Sequence, residues 1–231
     1  MTGRGATTVR IFREQAGAAT SWSGEHTVAV AVAYRHGVTA GSVQLLDLGA
    51  KDPSLRFVML AELAGDALVP LARAVSQLAR EAGGTALRWV TETADAITPA
   101  VTRLGATPRS TVYRWWHRPL PGRPMPSVVP QVRTLEAKDG TFLVGWRTAG
   151  YGAKIDGNLA TLRHDRTDDE TTEVVTGLLS TVLAMLGQEY PGVRLARTII
   201  APDDDIHTSA AIGLGFTATP LQAIEYQIAL S

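Results

Sequence analysis

Residues Val193 to Leu230, VRLARTIIAPDDDIHTSAAIGLGFTATPLQAIEYQIAL, decide how this chain folds. Leu195 to Ala201 is a short run rich in apolar and β-branched residues and reads as a strand. Pro202 and three aspartates turn the chain, Asp205 caps a short helix to Leu214, and Gly215 ends it. Ala223 to Leu230 alternates in polarity around Tyr226 and reads as a closing strand. Upstream lies a long apolar helix, Asp168 to Leu186, which stops at Gly187 and begins with Asp168, Asp169 and Glu170, suited to the positive end of its dipole. Before it, Gln131 to Leu135, Phe142 to Arg147 and Asn158 to Arg163 read as strands. Gly145, Gly150, Gly152 and Gly157, with Trp146, Arg147 and Tyr151 among them, read as a mobile loop or hairpin turn whose backbone can approach a ligand.

The same order stands in the first half. Thr7 to Phe12, Thr27 to Tyr34, Ser42 to Leu48 and Leu55 to Leu60 read as strands. Leu68, Leu71, Val75, Leu78 and Ala82 then recur at spacings of three and four, which predicts a helix over 67–82, capped by Asp66 and stopped at Gly83-Gly84. A strand Ala86 to Thr91, a short helix Asp95 to Leu104 and a strand Ser110 to Trp116 complete it. Leu104-Gly105-Ala106 and Leu214-Gly215-Phe216 mark equivalent corners, as in a unit written twice. Pro119 to Pro130 holds five prolines in twelve residues and favours an extended, donor-poor linker. The reading is α/β with two related halves, 1–118 and 131–231, joined by 119–130.

Composition removes whole classes of function. Lys and Arg (22) balance Asp and Glu (22), so no global field draws in nucleic acid, and no dense basic patch replaces it. With no cysteine, thiolate metal sites, iron-sulfur clusters and Cys nucleophiles are excluded. Met1 to Arg13 lacks the apolar core of a secretory signal, and Val174 to Leu186 is too short and too often interrupted by polar residues to span a bilayer. A cytoplasmic protein acting on a small molecule, without membrane or nucleic-acid partners, is the expectation, with the oligomeric state left open. Asp203-Asp204-Asp205 followed by His207 offers metal-ligand types, yet three adjacent carboxylates cannot converge on one ion, so no metal is expected. Arg114-Trp115-Trp116-His117-Arg118 reads as a strand with one Trp in a core.

Strand, long helix, strand, short helix ending in Leu-Gly-Phe and a Tyr-bearing strand resembles the C-terminal half of the GCN5-related N-acetyltransferase (GNAT) fold. Val193 to Leu230 carries the resemblance best, and Thr85 to Trp116 carries it a second time. The resemblance implies two GNAT-like mixed-sheet halves in tandem. It also implies transfer of an acetyl or other acyl group from a CoA or carrier thioester to an amine of a small metabolite. Glu62 or His164 would be the base, since both lie where a central strand should end, with Tyr151, Arg166 and Trp146 binding or positioning substrate.

The chain departs from the family in two places. Family members hold the pyrophosphate of acetyl-CoA on an Arg/Gln-x-x-Gly-x-Gly/Ala loop at the start of the long helix, whereas 61–67 has one glycine and two carboxylates, and 164–170 has four carboxylates and no glycine. The family's Tyr acid, four residues before the corner glycine, is Val101 and Ala211 here. Acetyl-CoA is therefore the implied donor without its usual cradle. The alternative is a GNAT-like scaffold that has lost CoA and serves as a ligand-binding or interaction module, or that catalyses another reaction.

Overall fold

Alternation in the second strand shows how these residues select their elements. Ala29, Ala31 and Ala33 are fully buried while Val30 and Val32 between them are half-buried, so the small residues face a helix and let it approach the sheet. The computed structural model describes residues 7–13, 26–47, 54–59, 67–92, 103–120, 133–137, 141–146, 149–165 and 170–230. The chain divides into two compact units, Met1–Ser110 with Ala223–Ser231, and Thr111–Gln222. These boundaries differ from the halves 1–118 and 131–231, because each unit takes its last strand from the other half of the sequence.

The first unit contains β1 (Thr8–Arg13), β2 (His26–Arg35), β3 (Val38–Asp47), β4 (Ser54–Met59), α1 (Leu68–Glu81) and β5 (Ala86–Glu92). It also holds the first residues of β6 (Thr107–Pro119) and the second part of β12 (Thr217–Ala229). Strands β1 to β4 pair antiparallel in sequence order, β4 runs parallel to β5, and Ala223–Ala229 pairs antiparallel with β5. His36 and Gly37, at φ 51° and 78°, form the two-residue β2–β3 turn, whose positive φ values match the strand twist. Leu68, Leu71, Val75 and Leu78 of α1 fill the core as their spacing predicts, together with Ala79 rather than the exposed Ala82. The helix ends where Gly83, at φ 81°, bonds Arg80 O and Gly84 bonds Ala79 O. The Asp66 cap and most of the Asp95–Leu104 helix lie outside the described residues.

The second unit repeats the order. It holds most of β6, then β7 (Arg133–Ala137), β8 (Thr141–Trp146), β9 (Ala149–Asp156), β10 (Leu159–Asp165), α2 (Thr172–Glu189), β11 (Leu195–Ile200), α3 (Asp205–Gly213) and the start of β12. Strands β7 to β10 are antiparallel, β10 runs parallel to β11, and β11 pairs antiparallel with β6. On the far side of β6, Thr219 donates its hydroxyl to Trp115 O at 3.0 Å. Leu178, Leu179, Val182 and Leu186 of α2 cover the sheet, and Trp116 packs on that core as the sequence suggests. Gly105 and Gly215 have φ of 72° and 80°, so the two corners are conformationally equivalent. Both units are α/β with mixed sheets, as expected.

Three local expectations are corrected. The glycine-rich loop is strand β9: Gly150 and Gly152 sit in the ladder opposite β8, and Gly150 faces Gly145, where little room is needed. Helix α2 runs through Gly187 to Glu189, since a lone glycine weakens a helix without ending it, and Pro191 follows its cap. The cap of α3 is Asp204, not Asp205. Among the described residues no helix is long and apolar enough to cross a membrane.

Candidate active site at the end of strand β10

On β10 the core-facing row is Ala160, Leu162, His164, so the position after two buried aliphatics is an imidazole. Antiparallel register sets His164 opposite Tyr151 of β9. Their side chains share a face, and the ring centroids are 5.1 Å apart. Glu170 lies just before Thr171, whose hydroxyl caps α2 by accepting from Val174 N. Its carboxylate reaches His164 Nε2 with both oxygens, at 2.9 and 3.1 Å. A carboxylate only accepts, so Nε2 carries the proton and the lone pair of a neutral His164 sits on Nδ1.

The first turn of α3 supplies the rest. Asp204 Oδ1 accepts from His207 N at 3.1 Å, which caps the helix, and from His207 Nδ1 at 2.9 Å, which fixes the ring. The His164 and His207 ring centroids are 3.8 Å apart, and Tyr151 lies 6.1 Å from His207. His207 Nε2 stands 3.8 Å from Glu170 Oε2 and has no hydrogen-bond partner among the described residues. Both side chains are 4% exposed, and that of His164 is 14% exposed. One donor atom each from His164, Glu170 and His207 lies within 4.8 Å of the others.

Burial drives the electrostatics. It pushes His207 below the ordinary histidine value, against the Asp204 hydrogen bond and helped by the neighbouring His164. The Tyr151 phenol is pushed well above its ordinary value, first by burial and then by the charges of Glu170 and Asp204, so it stays protonated. Beside the cluster the sheet opens. The β10–β11 ladder runs from Leu159 opposite Leu195 to Leu162 opposite Thr198 and goes no further, although β10 continues to Asp165 and β11 to Ile200. On the other side of β11, toward β6, Thr111, Arg114, Trp116, Ile200, Ala201, Pro202 and Thr208 line a separate cleft of about 230 Å³.

Of the residues the sequence singles out, His164 and Tyr151 come together in this cluster. Trp146 lies on β8 two strands from β10, with its side chain outside the described residues, as are Glu62 and Arg166. Glu170 was read only as a charge at a helix start, and Asp204 with His207 only as metal-ligand types set aside; none of the three was placed beside His164. The available signal was the Asp204-x-x-His207 spacing, which puts a capping carboxylate and an imidazole on one helical turn.

The fold is that of the GCN5-related N-acetyltransferases. A tandem GNAT protein from the clavulanic acid biosynthesis pathway superposes over 90% of this chain and 84% of its own, at a TM-score of 0.62 and 15% identity. A GNAT-family acetyltransferase from Colwellia psychrerythraea superposes over 87% of this chain and 85% of its own, at 0.55 and 9%. No protein-family model and no curated protein matches the sequence.

Proposed function

We propose that this protein is an acyltransferase moving an acetyl or other acyl group from a CoA or carrier thioester to an amine of a small metabolite, with its chemistry at His164. The observation that carries the reading is the parting of β10 and β11 beside the His164–Glu170 pair. Backbone groups past Leu162 and Thr198 leave that ladder at a strand end, where they suit the carbonyl and amide groups of an acyl thioester. The pyrophosphate end fits less well, since the glycine loop is absent. However, Glu170, one of the carboxylates that would repel an anion there, is bound to His164.

A bound thioester supplies the activated carbonyl. His164 Nδ1 takes a proton from the substrate ammonium, while Glu170 holds the imidazole through Nε2 and stabilises its charged form. The neutral amine then attacks the carbonyl carbon, backbone N–H groups hold the developing oxyanion, the C–S bond breaks, and the nitrogen gives its second proton to solvent. With Ala211 at the family's acid position, the leaving thiolate takes its proton from solvent. Tyr151 packs on His164 and positions it.

The test is thiol release from acetyl-CoA across a panel of primary amines. His164→Ala should lower kcat/KM about 10²- to 10⁴-fold, the usual contribution of a general base. Unchanged turnover in that variant would contradict the role. A second reading, a scaffold without CoA chemistry, is favoured by Ala211 and the acidic helix start. It predicts no thiol release with any amine.

A further inference from the structure

We propose that His164, Glu170 and His207 form a binding site for a divalent transition-metal ion of the Zn²⁺ type, with Asp204 as the outer support of His207. Two imidazoles and one carboxylate are the donor set such ions favour over Mg²⁺ or Ca²⁺, which select oxygen. Metal–ligand distances of about 2.0–2.1 Å in a tetrahedron place neighbouring donors about 3.3 Å apart. The 2.9 Å from Glu170 Oε2 to His164 Nε2 and the 3.8 Å to His207 Nε2 bracket that value. Small side-chain adjustments therefore convert the cluster into a coordination shell.

The orphaned nitrogen points to a ligand independently of the spacing. His207 Nε2 is buried, lacks a hydrogen-bond partner among the described residues and lies across from the Glu170 carboxylate. Buried polar atoms are nearly always satisfied, so an imidazole held with one nitrogen bare needs an explanation. Asp204 supplies the other half of the pattern. It accepts from Nδ1 at 2.9 Å, which fixes the tautomer that leaves the Nε2 lone pair pointing inward, the usual arrangement behind a metal-bound histidine. The same oxygen caps α3, so the helix start and the ring orientation are set together. The donors come from the end of β10, the segment before α2 and the first turn of α3. Three protein ligands leave a fourth position for water or substrate.

Metal and base compete for one imidazole, a consequence that rests on the acyl-transfer reading. Coordination at His164 Nε2 displaces the proton now shared with Glu170, and a neutral imidazole then carries its proton on Nδ1. The ion thereby removes the lone pair that accepts the amine proton.

The experiment titrates the chelator-stripped full chain with Zn²⁺ by calorimetry and with Co²⁺ by visible absorption, with no thioester or amine present. The expected result is one saturable ion per chain. His207→Ala should weaken binding at least 100-fold and Asp204→Asn about 10- to 100-fold, as outer-shell changes do. His36→Ala, in the exposed β2–β3 turn, should bind as the parent does. If His207→Ala does not fold, as judged by circular dichroism, the partly exposed His164→Ala and the cap-preserving Asp204→Asn decide the matter. Absence of a saturable 1:1 ion in the parent, or undiminished affinity in these variants, overturns the proposal. Because binding is read without substrates, that failure leaves the acyl-transfer reading standing, and loss of thiol release in the metal-free chain would refute the latter alone.

Discussion

His117 and Arg197 sit directly opposite each other in the β6–β11 ladder, so two basic side chains share one cross-strand position. Arg197 is held over the Trp115 ring at 4.5 Å and donates to Thr161 Oγ1, so it cannot swing clear. Burial first, then this guanidinium, lowers the His117 value below the ordinary 6.5. The sign follows from proton binding: between that ordinary value and the lower folded one, the unfolded chain holds the proton and the folded chain does not. Stability is thus fully present above about pH 6.5 and declines as pH falls through it. Urea unfolding of the metal-free protein at pH 8 and pH 5.5 should show a drop that His117→Gln makes smaller. An equal or larger drop in the variant would contradict this pairing. At this scale the sequence was partly legible. His164 was singled out because a strand end next to a helix start is a recognisable place. His207 was weighed as a metal ligand beside three aspartates and set aside, because its burial depends on Glu170 and Tyr151, 37 and 56 residues away, and no local pattern carries that.

Among the elements, β9 teaches most. Four glycines in thirteen residues read as a loop, yet Gly150 and Gly152 are extended and only Gly157, at φ 57°, occupies the left-handed region. A Cβ on Gly150 would meet Leu143 Cδ1 at 3.4 Å and Val144 O at 3.5 Å, ordinary contact, whereas one on Gly157 meets nothing but is conformationally strained. Gly150→Ala should therefore change stability by less than about 0.5 kcal/mol, and Gly157→Ala should cost about 1 kcal/mol or more. The reverse ranking in denaturant titrations would return this segment to a loop. Helices were easier, since the spacing in α1 and the apolar run of α2 survive tertiary packing. Their ends were harder: the α2 cap is Thr171, whose hydroxyl bond to Val174 N cannot be told from an acidic helix start by composition. Thr171→Ala should cost about 1 kcal/mol.

For the whole chain, the sequence disclosed two similar halves but not the exchange of their last strands. Both β6 and β12 have the alternation of a closing strand, and alternation carries no information on which β5-like partner a strand joins. In the first unit Tyr226 stacks on Trp89 at 6.3 Å, Ile228 and Leu230 pack on the α1 core, and Leu230 N bonds Thr85 O. Deleting 223–231 should consequently unfold the first unit, although those residues follow the second half in sequence. Retention of a cooperative transition for 1–110 in the truncated chain would contradict the exchange. The functional account rests on an acyl thioester lodging where β10 and β11 part. The most direct measurement is the thermal midpoint of the metal-free chain with about 1 mM acetyl-CoA, with ADP as control. Ligand at 100 times its dissociation constant adds about 2.7 kcal/mol, which is several degrees for a chain of this size. A shift with acetyl-CoA and little with ADP is the predicted result, and no shift at saturating acetyl-CoA would contradict the account.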